Sequence, residues 1–374
     1  MWYKIGIIVI LLIIYLILDS LEHSGKLSMV KSKNYIIFSA AILLILQSGL
    51  RNVAVGPDTY AYYLKFQDCS TETWSDIISN FKTVYVEGEG KDAGYYLIQK
   101  LFSSVIPNFQ CFLVFIAVIF FWSFFEVVGQ YTNSKKEVLI AVIVYLALFY
   151  SFFSITGCRQ VLATSLCLFS VKYIRERKLL PFIVIMIIAF FIHRSSMIFV
   201  PFYYISRLSK PGYLYVVGIV LIPYLISVSH KYTSQLAIIS GSDTYLAYAE
   251  ESGIGATTFL WFYITITTFL FVIQRKMIAK DNDDILVYNA IYLALFFLPL
   301  TYSSAALMRI VQYESLFLTI GISFFLRKNI SSRQSGLVTI FFVVSMLAMG
   351  YKIITTDVEY KFYWQYMELP MNYL

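Results

Sequence analysis

Apolar runs suited to crossing a bilayer recur along this chain from end to end, and no polar stretch between them is long enough to build a soluble domain. Only 14% of the residues are charged, against about 25% in a soluble domain. The expected fold class is therefore all-α: a polytopic membrane protein with about twelve transmembrane helices and a helical extracytoplasmic loop. It forms a single transmembrane domain over residues 1–374. The spans run roughly over 3–18, 35–50, 109–129, 137–153, 159–174, 179–192, 195–205, 213–228, 256–273, 285–300, 305–326 and 336–350. Several are shorter than the ~20 residues of a full crossing, and the two flanking His193 also read as one broken or re-entrant element. The first run ends at Asp19-Ser20-Leu21-Glu22 with no small-residue cleavage site, so it reads as a retained helix.

Charge sets the orientation. The net charge of +7 is spread in short clusters between apolar segments and forms no nucleic-acid patch. Six short loops carry Lys26, Lys31, Lys33, Lys135, Lys136, Arg175, Arg177, Lys178, Arg207, Lys210, Arg275, Lys276, Lys280, Arg327, Lys328 and Arg333. Those loops are expected in the cytoplasm, with both termini outside. Three outer segments follow: the long loop 51–94, a second loop 229–255 and an interfacial tail 351–374 rich in Tyr and Trp. Within the first, Trp74, Ile77, Ile78 and Phe81 recur at helical spacing, and residues 95–106 form a short interfacial helix. Of the four cysteines only Cys69 lies in a polar loop, which leaves no loop-to-loop disulfide and no metal-ligand spacing.

A charged side chain at membrane depth costs about 2.5–3.5 kcal/mol on insertion scales and marks function by default. Arg51 closes the second span, Arg159 opens the fifth, His193 and Arg194 stand at the next corner, and Arg309 lies early in the eleventh. All five fall at the outer ends of their helices. Arginine offers a planar fork of donors matched to phosphate oxygens. Histidine takes a proton near neutral pH. Together they suit glycosyl transfer from a lipid pyrophosphate, the arginines stabilising charge on the leaving group and the histidine deprotonating an acceptor hydroxyl. Arg51 and Arg194 also fit plain snorkelling to the interface, and His193 fits a satisfied helix end. Gln312 shares the face of Arg309, whereas Glu314 does not. Asp281-Asn282-Asp283-Asp284 reads as a helix start, and Gly88-Glu89-Gly90-Lys91 as a turn.

Arg51, Val55-Gly56-Pro57-Asp58-Thr59-Tyr60, Tyr63 and Phe66 resemble the first motif of the EpsG family of Wzy-like polysaccharide polymerases. Asp92-Ala93-Gly94-Tyr95, Arg159-Gln160 with Ala163, and Ala189-Phe190-Phe191-Ile192-His193 with Ser195, Ser196 and Pro201 follow in the family's order. The resemblance implies a metal-independent glycosyltransferase, without a cofactor, on the outer face of a bacterial cytoplasmic membrane. It would join oligosaccharide repeat units carried on polyprenyl pyrophosphate into a capsule, exopolysaccharide or O-antigen. Its partners would be that lipid-linked oligosaccharide, membrane lipids, and the flippase and chain-length regulator of the same pathway. Carried over, Arg159 and Arg309 would hold the pyrophosphate and His193 would act as base or acceptor-positioning group. Arg51, Asp58, Tyr62, Tyr63, Gln160, Arg194 and Gln312 would contact substrate, with Asp58 a competing base. A glycan ligase using the same donor and a lipid-linked oligosaccharide flippase are the rival readings.

Overall fold

The computed structural model describes residues 2–90, 92–229, 231, 235, 257–278, 284–304, 307–326, 332–355 and 359–369. Loop 229–255 lies almost wholly outside them, as do Lys91, Lys280, Asp281-Asn282-Asp283, Arg327, Lys328, Asn329-Ile330-Ser331 and the chain's last five residues. The described residues are helical, and the β pairing among them is an isolated bridge between Arg51 and Phe362. They fall into two compact units. The first holds Met1–Glu87, Asp92–Ser196 and Phe342–Leu374; the second holds Gly88–Lys91 and Met197–Phe341.

In the first unit the helices are α1 (Trp2–His23), α2 (Met29–Gly49), α3 (Thr59–Thr71), α4 (Trp74–Lys82), α5 (Ala93–Ser103), α6 (Phe109–Tyr131), α7 (Lys135–Leu148), α8 (Cys158–Arg175) and α9 (Leu179–Ile192). Their starts are legible in the sequence. Ser28, Asn108 and Ser134 accept backbone N–H groups of α2, α6 and α7, and Thr73 with Asp76 closes a capping box on α4. α2 packs on α6 and α7, α6 on α8, and α8 on α9. The core between them is aromatic, with Phe120 stacked on Phe153 at 4.9 Å and edge-on to Phe121.

The loop 51–94, expected to be extracytoplasmic, is helical and lies mostly in unit one. α4 buries Ile77, whereas Trp74 and Ile78, on the same expected face, are exposed. The interfacial helix expected over 95–106 is α5, packed on α3, α4 and α9. The tail departs from a simple interfacial strip. Its residues 359–369 fold back on the end of α2, where Asn52 N donates to the Lys361 carbonyl and Tyr363 N to that of Leu50.

The second unit contains α10 (Phe202–Ile205), α11 (Gly212–Ser227), α12 (Thr257–Ile278), α13 (Asp284–Phe297), α14 (Leu300–Ser303), α15 (Met308–Ser315) and α16 (Leu318–Ser323). α17 (Ser332–Thr355) runs from this unit into the first. α13 packs on α11, α12 and α15, and Asn289 donates to the carbonyls of Ser206 and Leu208. Glu314 is fully buried in α15, and neither carboxyl oxygen has a hydrogen-bond partner among the described residues.

By length and composition α1, α2, α6 and Thr257–Gln274 can each cross a membrane, and the bent pair Met308–Ser315 with Leu318–Leu326 adds a fifth if counted as one span. Four further apolar helices are shorter. Three expected spans take other forms. The run 195–205 is a 3-10 segment, Arg194–Phe199, followed by the single turn α10. Pro201 has no N–H to give and its ring would clash with a preceding α-helical turn, so it follows the 3-10 segment and stands as the N-cap of α10. The run 305–326 bends by 50° between its halves. The run 137–153 ends at Leu148 and gives way to a π-helical stretch, Ser151–Thr156, that leads into α8.

Candidate functional site

α5 begins at Asp92, a residue type that caps helices by accepting the first free N–H groups. Here it does not. Asp92 sits in the left-handed region at φ 57°, its side chain makes no cap, and the carboxylate turns away from α5. Forgoing a cap costs about 1 kcal/mol, and left-handed backbone at a residue other than glycine costs a further ~1–2 kcal/mol. What it reaches explains the outlay. Oδ2 accepts from Nη1 of Arg159 at 2.8 Å and stands 3.1 Å from Nδ1 of His193. Oδ1 accepts the backbone N–H of Arg194 at 3.3 Å.

Three elements bring these groups together. α8 presents Arg159 in its first turn, and α9 ends at His193, whose extended backbone (φ −157°, ψ 110°) stops the helix. α5 crosses close to α9 because Gly94 leaves room: a Cβ there would collide with the Phe191 carbonyl. That same carbonyl accepts from Tyr85 Oη at 2.6 Å. Tyr85 in turn lies under the Arg194 guanidinium, with Cζ 5.6 Å from the ring centre, and Arg194 Nη2 donates to the Val84 carbonyl.

Asp92 itself is almost inaccessible, with a side chain 4% exposed, whereas Arg159 and His193 are 22% and 19% exposed. Burial alone would raise the Asp92 pKa. The His193 hydrogen bond, the proximity of His193, the Arg159 charge and the Arg194 N–H outweigh that and hold it below the usual carboxylate range. An ionised carboxylate can only accept, so Nδ1 of His193 carries a proton on the side facing Asp92. Nε2 has no hydrogen-bond partner among the described residues. A buried carboxylate thus fixes the orientation of the imidazole.

Arg159 is held from two sides. Its Nε donates to Tyr62 Oη at 3.4 Å and its Cζ lies 5.7 Å from the centre of that ring. Nη2 has no hydrogen-bond partner among the described residues. Tyr62 is buried and packs edge-on against Tyr95. Burial raises its pKa above the usual phenol value, so it stays a neutral hydroxyl. Lys65, one turn further along α3, is close enough to feel both Arg159 and Asp92. Desolvation and the Arg159 charge pull its pKa down, while Asp92 pulls it up. Counting Arg159, Arg194 and Lys65 against Asp92, these four residues carry two positive charges in excess. Such a surplus of positive charge attracts anions.

The other expected residues are placed as follows. Arg51 is 3% exposed beneath the Phe362 bridge, donating to the Ser48 carbonyl at 2.6 Å and the Cys158 thiol at 3.5 Å. It joins the ends of α2 and α8 rather than facing the opening. Asp58 starts α3 and is half-buried, and Gly56 before it takes φ 81° against Ile155. Tyr63 packs on Tyr60 and Phe109 rather than on Arg159. Gln160 is buried next to Arg159. Arg309 and Gln312 belong to the second unit, the former exposed and the latter buried. Sequence reasoning passed over Asp92 and Lys65 as site residues. The signal for Asp92 was its place at the head of Asp92-Ala93-Gly94-Tyr95; Lys65 carried none beyond lying on α3 near Tyr62.

No curated protein and no solved structure matches the chain. The family model described as the EpsG family does match, over residues 34–367. That span is nearly the whole sequence and contains each of the motifs that converge on Asp92. With its apolar helices, the chain is a polysaccharide-polymerase-like membrane protein; it belongs to the EpsG family.

Proposed function

We propose that this protein is an extracytoplasmic polysaccharide polymerase of the bacterial cytoplasmic membrane, joining repeat units carried on polyprenyl pyrophosphate. One observation supports this above the rest: a single buried carboxylate, Asp92, orients both a cation suited to phosphate and an imidazole suited to a hydroxyl proton. In the proposed step the acceptor hydroxyl gives its proton to Nε2 of His193 and its oxygen attacks the anomeric carbon of the donor sugar. The bond from that carbon to the pyrophosphate oxygen breaks, and polyprenyl pyrophosphate leaves carrying the electron pair. Arg159 meets the growing negative charge with its remaining donors, and Asp92 stabilises the imidazolium that forms.

The burial of Asp92 favours His193 over it as the group that touches the acceptor. His193 also has a carboxylate behind it, which supports it over Asp58 as base. Asp58, half-buried before the start of α3, would meet sugar hydroxyls, and Tyr62 would steady Arg159. Arg309 keeps a pyrophosphate-holding role only as the family resemblance implies it.

The test is made in the native host. Arg159→Ala or His193→Ala at normal protein level is expected to leave single repeat units on the lipid carrier. Unchanged long chains would remove that residue from the scheme. Long chains that accumulate on the lipid, unattached to any final acceptor, would instead identify a ligase.

A further inference from the structure

Beside the Asp92 cluster lies a groove of about 550 Å³ whose lining side chains are all apolar. Three helices build its walls in the same manner. α6 supplies Phe115 and Ile119, α8 supplies Leu162 and Leu166, and α9 supplies Ile188 and Ile192. Each pair is four residues apart and so stacks on one helix face, giving two apolar layers one turn apart. α5 and the residues after it close the groove from another side, where Leu101 and Val105 remain exposed and leave it open laterally.

The groove and the polar cluster share three walls. Leu162 lies one turn beyond Arg159 on α8, Ile192 directly precedes His193 on α9, and α5 begins at Asp92. Within a single helical turn the surface therefore changes from wholly aliphatic to strongly cationic. The side chains that line the groove offer no donor or acceptor of their own. A glycerophospholipid brings two chains and ester carbonyls between hydrocarbon and phosphate, and the ester groups would find no partner here. A prenyl phosphate joins its hydrocarbon directly to the phosphate. Its chain is single, and its methyl branches suit walls of Ile and Leu.

We infer that this groove between α5, α6, α8 and α9 holds the first isoprene units of a polyprenyl diphosphate whose phosphates rest on Arg159. The assignment rests on the proposed function and adds where the lipid enters and lies. Lipid tails in a bilayer are as apolar as the groove, so the chain gains little by leaving them. The groove acts instead by fit. It admits the carrier sideways from the membrane and fixes the diphosphate against the cations, with dispersion contacts selecting chain shape.

The experiment uses the full-length protein in detergent micelles and compares binding of undecaprenyl diphosphate with that of inorganic pyrophosphate. Leu166→Trp fills the lower layer of the groove, a turn removed from the cluster residues. It is expected to weaken undecaprenyl diphosphate at least tenfold and to leave pyrophosphate unchanged. Ile188→Trp, from the opposite wall at a half-exposed position, is expected to do the same and serves if the first variant fails to fold. Unchanged binding of undecaprenyl diphosphate by a folded variant would overturn the groove assignment. So would equal competition by dioleoylphosphatidylglycerol, which would mark a general lipid crevice. If Arg159→Ala weakens both ligands while the Trp variants weaken neither, the groove fails and the functional reading stands. If Arg159→Ala weakens neither, that reading fails with it.

Discussion

Nδ1 of His193 and Oδ2 of Asp92 stand 3.1 Å apart, although 101 positions separate the two residues in the chain. This contact fixes which imidazole nitrogen is free. Asp92→Asn replaces an obligate acceptor by an amide that can turn its NH2 toward Nδ1, which would place the ring proton on Nε2 and abolish the base. Loss of a positioned base typically costs about 10²–10⁴-fold. The polymerisation rate of Asp92→Asn is expected to fall in that range with the protein folded, as read from product length against time.

The same carboxyl couples stability to pH. Its folded pKa lies below the value for an unfolded Asp, about 3.9. Its stabilising contribution is therefore complete above roughly pH 4 and is lost as pH falls through the lower, folded value. Thermal unfolding in detergent between pH 7 and pH 3 is expected to show wild type losing stability at the acid end. Asp92→Asn should show a flatter dependence over that window.

Arg159 donates from Nε to Tyr62 and from Nη1 to Asp92 at once, which one ammonium cannot do in the same geometry. Arg159→Lys is therefore expected to behave more like Arg159→Ala than like wild type. Tyr62→Phe, which removes only the 3.4 Å contact, should reduce activity severalfold at most. Side-by-side product sizing of the three variants checks the ranking.

Gly94 has no room for a methyl group against the Phe191 carbonyl. Gly94→Ala should push α5 from α9 at an overpacking cost of about 1–3 kcal/mol, seen as a lowered melting temperature. Because α5 carries Asp92 at its start, activity should fall more than the stability loss alone explains. Wild-type melting and activity in the Gly94→Ala protein would show that the close approach is dispensable.

How much of this could be read from the residues divides along a physical line. Periodic apolar runs and caps act locally, so α1, α2, α6 and the short helices α4 and α5 were legible. The ordered motifs also placed Arg159 and His193 together. Contacts between distant residues were not legible. An aspartate before a helix reads as a cap, and nothing in its neighbours reveals that its carboxylate crosses to α8 and α9. Arg51 read as an exposed end-of-span cation, yet the tail that covers it lies some three hundred positions later. The run 195–205 was apolar enough to pass for a span, and Pro201 with the 3-10 turn before it undid that.

The most direct measurement reconstitutes the purified protein with lipid-linked repeat units and sizes the products on a gel. Wild type is expected to give a ladder longer than one unit, and His193→Ala, at equal amount and equal melting temperature, only the single unit supplied. A His193→Ala ladder indistinguishable from that of wild type would contradict the Asp92–His193–Arg159 site.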